Sequence, residues 1–421
     1  MNSPKGDPPI VDFDHHSKEW LDHRHAEWAT LRKECPVAYN PRFGGFWIVS
    51  GYDDVARVSR EGDTFSSRFA PEPEDGIQYL GITGVPRIKG IPPAGIAEVD
   101  GPVHQALRQV LNPFLLPSAV EALEPFMRSV TTWFLDQKIE TGEMDLVFDL
   151  TNPVPAVLTM ALIGLPCASW EHYGELFHTT IAYRPSAPEY RQAISLVPQM
   201  IGELLAAAAE RRESPREDML TQLVHLEVDG RHLTDDELSA VLWNLVGGGL
   251  DTTTSLTSLA LHHLDAHPDL RDRLIADPSL VVSATEEFLR FYSVNETLTR
   301  TVTRDCELGG QQLSRGDYLL LSWLSANHDE AHFEDADRVV LDRQPNRHLA
   351  FGLGPHRCIG MHLARTMFQV LLTEVLRRIP DYAVDRDAVQ FYQGNPELFG
   401  VVTMPARFTP GPVVGPAECP F

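Results

Sequence analysis

The stretch VGGGLDTTT, Val246 to Thr254, lies inside a segment that otherwise reads as one long helix. Thr234-Asp235-Asp236-Glu237 has the form of a capping box, with Leu233 and Leu238 placed to staple it. His267-Pro268 stops the pattern, because a proline ring clashes with the turn before it. Roughly 30 residues lie between these signals, or about 45–50 Å at ~1.5 Å per residue. A helix of that length crosses a whole domain, and the rest of the chain must pack around it. Leu238, Val241, Leu242, Leu245, Gly249, Thr252 and Leu256 fall on one stripe, so the glycines interrupt a buried face. Each interior glycine costs roughly 0.8–1 kcal/mol relative to alanine. The missing side chains predict that something else occupies the space beside the helix.

The 421 residues are 43% hydrophobic and 22% charged, which suffices for a large core. No Ser/Gly linker, repeat or low-complexity tract divides them, so residues 1–421 are expected to form a single domain. Helical periodicity prevails after residue 100. Strands are expected mostly within 36–70 and 296–325, with hairpins near the C-terminus. The strand-like pieces are Phe46–Val55 and Thr299–Trp323, the second turning at Gly309-Gly310 and Arg315-Gly316-Asp317. The expected class is therefore mainly α with small β-sheets. Ala70 to Asp100 is rich in proline and glycine yet carries Ile77, Tyr79, Leu80, Ile82, Val85, Ile88 and Ile91. It reads as a long loop, either a cover over the core or a lid over an apolar pocket.

A net charge of −24 argues against nucleic acid or an anionic membrane as the main partner. The cysteines, Cys35, Cys167, Cys306, Cys358 and Cys419, are scattered and form no CxxC pair, which fits a reducing cytoplasm. The polar N-terminus has no signal-peptide core. The apolar run Val154–Pro166 is too short to span a bilayer. A soluble cytoplasmic monomer without a membrane anchor is expected.

Chemistry concentrates in FGLGPHRCIG, Phe351 to Gly360, followed by the helical MHLARTMFQVLLTEVLRR. Gly352, Gly354 and Gly360 allow sharp turns and close backbone approach. A cysteine just before a helix meets the positive end of the dipole and free N–H groups, which favour its thiolate. By residue type Cys358 is then a metal ligand, a nucleophile with His356 or His362 as base, or a small buried hydrophobe. A zinc site from His356, Cys358 and His362 lacks a fourth ligand.

The loop matches in full the haem-binding pattern of the cytochrome P450 family, Phe-Gly-x-Gly-x-His-x-Cys-x-Gly. GGLDTT (Gly248–Thr253) resembles that family's oxygen-activating motif, with Gly248 where alanine is more common. EEFLR supplies Glu287 and Arg290, FEDADRVVLDR supplies Arg343, and DGPVHQALR supplies His104 and Arg108. Ala336 and Val339 depart from the family's usual proline and phenylalanine in a scaffold segment. The resemblance covers nearly the whole chain and is closest to the soluble bacterial members. It implies the triangular, mainly α cytochrome P450 fold with small β-sheets, and haem b (iron protoporphyrin IX) as cofactor.

By the same resemblance Cys358 ligates the iron, and Phe351, Gly360, Gly248 and Gly249 border the cofactor. His104, Arg108, Arg300 and His356 become donors to its propionates. Asp251 and Thr252 become the catalytic pair that serves protons to the oxygen site. Glu287, Arg290 and Arg343 hold the loop structurally. The implied activity is that of a haem-thiolate monooxygenase, inserting one atom of O2 into a hydrophobic small molecule by hydroxylation or epoxidation. Its NAD(P)H electrons would come through a separate ferredoxin and ferredoxin reductase. The alternatives are a peroxide-driven peroxygenase and a non-catalytic haem-binding protein, and the presence of Asp251-Thr252 argues against both. The substrate pocket is expected from Tyr79, Leu80, Ile82, Val85, Ile88 and Leu245. Family topology adds Val294, Leu298, Leu398 and Phe399. Such a lining predicts a neutral, largely hydrocarbon substrate. The competing reading has Arg87 and Lys89 pair a substrate carboxylate at the mouth. Arg108, Arg357 and Arg365 form the expected basic patch for an acidic ferredoxin.

Overall fold

Thr234 caps the central helix as the sequence requires. Its hydroxyl accepts the Glu237 N–H at 3.2 Å, and the Glu237 carboxylate accepts the Thr234 N–H at 2.8 Å. The helix runs Asp235–Ala266, 32 residues, and His267 closes it. The computed structural model describes residues 7–87, 93–394 and 396–421. Around the central helix pack the helices Pro153–Ile163, Trp170–Ala182, Val197–Glu213, Val281–Tyr292 and Met361–Arg378. One apolar cluster, from Ile96 to Phe408 in the chain, takes in residues of all of them. Pro153–Ile163 is buried almost throughout and ends at Gly164 with φ 95°. This accounts for an apolar run with no polar face.

The main sheet has five strands in the order Val37–Asn40, Phe46–Val49, Tyr318–Ser322, Thr297–Val302, Phe65–Ser66. Leu320 sits opposite Ile48 in the parallel pair and opposite Thr299 in the antiparallel pair. Tyr318–Ser322 is buried at every position. A strand covered on both faces loses the alternation of polar and apolar residues. Short pairings near the C-terminus join Ala383–Val384, Pro405–Arg407 and Glu143–Asp145.

Two expectations need correction. Phe46–Val55 is strand only to Val49, after which Gly51 precedes a helix, Tyr52–Arg60, whose Val55, Ala56 and Val58 face the core. The segment from Ala70 is not loop throughout: Phe69–Glu74 pairs with Ile77–Leu80 as a hairpin. Its turn uses Asp75 (φ 50°) and Gly76 (φ 77°), the two positive values that a tight primed turn demands. Residues 81–87 are irregular backbone, and a short turn of helix lies at Gly95–Glu98. Ile88, Lys89 and Ile91 lie outside the described residues.

The stretch Pro188–Glu213 is long and apolar enough, by length and composition, to cross a membrane. It is interrupted between Ile194 and Val197 and ends in Glu210-Arg211-Arg212-Glu213.

Candidate active site

The cysteine loop closes on itself. The Cys358 N–H donates to the Phe351 carbonyl at 2.8 Å, and Gly352 and Gly354 take positive φ, 62° and 69°. A Cβ at Gly354 would lie 2.4 Å from the Ser59 carbonyl oxygen, so only glycine lets this backbone rest on that one. Gly360 then caps the helix Met361–Arg378. Cys358 lies deep among protein atoms yet its side chain remains accessible, so it opens into the interior on one side. Burial pushes its thiol up, against the Gly360 N–H and the charges of Arg108, Arg365 and Arg357. The bias toward thiolate expected from the helix terminus is therefore present but outweighed. A cation opposite the sulfur would hold the thiolate form.

The glycines of the central helix do different work. A Cβ at Gly247 would lie 2.6 Å from the Phe177 ring, and one at Gly249 would lie 2.8 Å from the Thr159 hydroxyl oxygen. These two positions permit close helix packing. At Gly249, expected at the cofactor's border, the missing side chain serves the contact with Thr159. At Gly248 nothing lies within 4 Å of a built Cβ, and the same holds at Gly360. Thr252 is half-buried, and its hydroxyl donates to the Gly248 carbonyl at 2.9 Å.

His104, His356 and Arg300 converge around Asp100, which sequence reasoning missed. His356 Nε2 lies 2.7 Å from Asp100 Oδ1, and the His104 and His356 rings are 4.2 Å apart. Asp100 is held below the usual carboxylate range: burial would raise it, but hydrogen bonds from His356 and Ser66 outweigh that. Arg300 is 5% exposed, and among the described residues its guanidinium makes one hydrogen bond, to the Thr299 carbonyl. Burial lowers it to about 10. A buried guanidinium with one acceptor calls for an anion. Arg108 donates to the Arg357 carbonyl at 2.9 Å, beside the cysteine.

Glu287 and Arg290 are both fully buried and joined by two hydrogen bonds, of 2.8 and 2.9 Å. Arg343 donates to the same carboxylate at 2.9 Å. Val340 N–H and the Asn346 amide also donate to Glu287, while Arg290 reaches the carbonyls of Asn327, Ala336 and Arg338. The segment before the cysteine loop is thus pinned to the Val281–Tyr292 helix. A second tie was not foreseen. Glu286 accepts from Arg365 at 2.6 and 2.7 Å and pairs with His348 at 3.1 Å. Arg365, expected on a docking surface, is committed to that carboxylate instead.

Asp251 is fully buried and turned away from solvent, against His178 at 2.9 Å and the Tyr392 hydroxyl at 2.8 Å. These partners stand 73 and 141 residues away in the chain, and no local pattern announces them.

The expected pocket residues divide. Tyr79, Leu80, Leu245, Val294 and Leu298 are half-buried, and Ile82 and Leu398 are 9% and 8% exposed. The 294–299 and 397–399 segments do meet, through the Phe399 N–H to Val294 carbonyl bond of 2.9 Å and an Asn295–Leu398 bridge. Val85, however, packs with Trp20, Phe46 and Tyr318, in the core beside the sheet. The ring of Phe399 is clasped between Arg24, 3.9 Å from its centroid, and Phe391. Arg87 is paired with the fully buried Glu98 and lies over Phe69, so it does not wait for a carboxylate.

A long helix whose Gly248 would present a Cβ to no protein atom, a glycine-turned loop that carries Cys358 to the start of a second helix, and a cluster of histidine and arginine around Asp100 are the features of the haem-thiolate class of oxygenase. The donor set fits haem: a sulfur open to the interior, cationic and imidazole groups for propionates, and a glycine on the helix where a Cβ would meet nothing. The cytochrome P450 family model matches residues 47–380, and the chain belongs to that family as a monooxygenase. It is 34% identical over 372 residues to the linalool 8-monooxygenase of Pseudomonas putida, covering 84% of this chain and 89% of that one. It is 32% identical over 394 residues to the steroid C26-monooxygenase of Mycobacterium tuberculosis, covering 93% and 95%. A Mycobacterium marinum cytochrome P450 solved in complex with pseudoionone superposes with a TM-score of 0.83 at 26% identity, covering 92% and 95%.

Proposed function

We propose that this chain is a single catalytic unit in which Cys358 holds haem iron and a neutral hydrophobic molecule is oxygenated beside Gly248. Haem, when bound there, supplies the oxygen activation that no side chain can. Arg108 and Arg300 neutralise its propionates and His104 and His356 donate hydrogen bonds to them, with Asp100 orienting His356. Phe351 and Gly360 border it. Gly248 keeps the helix clear of the reacting centre, and Thr252 offers its hydroxyl there in place of the bond to the Gly248 carbonyl. Asp251 supplies protons to that side, and leaves its buried contacts to do so. Glu287, Arg290 and Arg343 keep the cysteine loop at a fixed height. The observation that carries the reading is the closed loop around Cys358 with its sulfur open to the interior.

Electrons reach the site from NAD(P)H through a separate ferredoxin and its reductase. Arg357, exposed beside the cysteine, is the chief cation of the docking face. For the substrate, the commitment of Arg87 to Glu98 favours a neutral molecule over a carboxylate. Linalool and pseudoionone, named for two of the similar proteins, are neutral and mostly hydrocarbon. We place the enzyme in the cytoplasm as a soluble monomer.

Cys358→Ser is the decisive variant. Reduced protein with carbon monoxide loses the red-shifted Soret band of a thiolate-ligated haem, and retention of that band rejects Cys358 as ligand. Turnover with NAD(P)H, ferredoxin and reductase, set beside turnover with hydrogen peroxide, separates a monooxygenase from a peroxygenase. Matched alcohols or esters and their acids, titrated by spectral shift with and without Arg87→Ala, test the substrate class. A much tighter acid that loses its advantage in the variant overturns the neutral reading.

A further inference from the structure

The Asp251 cluster obeys a proton count. His178 Nε2 lies 3.0 Å from the Val402 carbonyl, which can only accept, so Nε2 carries a proton. Nδ1 lies 2.9 Å from Asp251 Oδ1, also an acceptor when ionised. One proton must therefore sit between them, since two lone pairs at that distance repel. Tyr392 has a single O–H. It lies 2.8 and 2.9 Å from the two oxygens of Asp251 and 3.0 Å from His178 Nδ1, and its oxygen accepts from Ser255 at 3.3 Å. All four residues are buried. Burial alone would strip a proton from His178. The hydrogen bond and charge of Asp251, with the Val402 carbonyl and the charge of Asp145, outweigh it and raise its proton affinity. Phe148 covers the ring edge-on at 5.7 Å.

We infer that His178 is the positioning residue of Asp251, storing on Nδ1 the proton that the carboxyl carries away when it turns toward Thr252. The inference rests on the reading of Asp251 as the group that supplies protons to the reacting side. The geometry closes the cycle. As Asp251 leaves with the proton, His178 becomes neutral, keeps Nε2–H on Val402, and its bare Nδ1 accepts the Tyr392 O–H. After Asp251 gives up its proton and returns as a carboxylate, it faces a bare Nδ1 at hydrogen-bond distance. That repulsion is relieved by uptake of one proton from solvent. One proton leaves the pair and one enters it in each passage, and no electron moves.

Two measurements on the holoenzyme test this. In reduced, carbon monoxide-bound protein labelled with 15N-histidine, His178 is assigned as the resonance displaced by both Asp251→Asn and Tyr392→Phe. It is expected to keep protons on both nitrogens above the ordinary midpoint of 6.5, and to lose Nδ1–H below 6.5 in Asp251→Asn. A midpoint at or below 6.5 in the parent overturns the stored proton. In turnover, Asp251→Asn and His178→Gln are each expected to lower kcat by about tenfold or more with unchanged substrate binding. The double variant is expected to be no slower than Asp251→Asn. Parental kcat in His178→Gln, or additive losses in the double variant, overturns the role of His178 while leaving that of Asp251 intact. Parental kcat in Asp251→Asn instead overturns the reading of Asp251, and the inference with it. If His178→Gln does not fold, His178→Asn takes its place, and the resonance measurement needs neither.

Discussion

Alanine at each glycine of the central helix separates packing from open space. Alanine is worth roughly 0.8–1 kcal/mol over glycine in a helix interior. At Gly248 the added methyl meets no protein atom within 4 Å, so Gly248→Ala keeps a gain of up to about 1 kcal/mol. At Gly247 the methyl would lie 2.6 and 2.9 Å from two carbons of the Phe177 ring, which is 4% exposed and has little room to retreat. Overpacking costs about 1–3 kcal/mol, which cancels the propensity gain and leaves Gly247→Ala up to about 2 kcal/mol below the parent. At Gly249 the clash is with Oγ1 and Cγ2 of Thr159, at 2.8 and 2.9 Å. Both atoms vanish in Thr159→Ala, so Gly249→Ala/Thr159→Ala is expected to recover part of what Gly249→Ala loses. Thermal unfolding of the haem-saturated variants, followed by far-ultraviolet circular dichroism, reads the order. A kilocalorie corresponds to roughly 2 °C in a chain this large. Gly248→Ala is expected at or above the parent, with Gly247→Ala and Gly249→Ala below it. Equal midpoints for all three, or Gly248→Ala as the lowest, would refute the division of labour.

Glu287→Gln leaves Arg290 and Arg343 facing a neutral amide in a fully buried site, a loss of about 3–5 kcal/mol; the expected result is little recoverable holoprotein, read by haem content per chain. Thr252→Ala is expected to retain haem and substrate binding but divert NAD(P)H into peroxide, and parental product yield per NAD(P)H would count against its role. Glu286 is set to about 2: burial would raise it, but the hydrogen bonds from His348 and Arg365 prevail. Its contribution is complete above its ordinary value of 4.5 and is lost as pH falls from there through about 2, so Glu286→Gln should flatten the fall in stability over that window. Ferredoxin-supported turnover is expected to slow as salt rises and to lose part of that dependence in Arg357→Glu; a rate indifferent to ionic strength points to apolar docking.

Features written within a few turns of chain were legible in the sequence. The capping box at Thr234, the stop at Pro268, the glycine-flanked Cys358 and the Glu287–Arg290 pair each depend on neighbours three or four residues away, and the helix period fixes such geometry. The Asp75-Gly76 turn is equally local, but the prolines around it mask its signal. Other assignments belong to the tertiary structure alone. Which glycine faces open space depends on Phe177 and Thr159 of two other helices. Arg87 and Arg365 read as free cations until Glu98 and Glu286 are brought against them. Asp251 was legible as a residue, but its partners were not, because contacts across 73 and 141 residues are set by which faces meet when the core closes. Local sequence decides what a segment can become; burial decides which charges must pair, and only the packed chain brings the partners within reach.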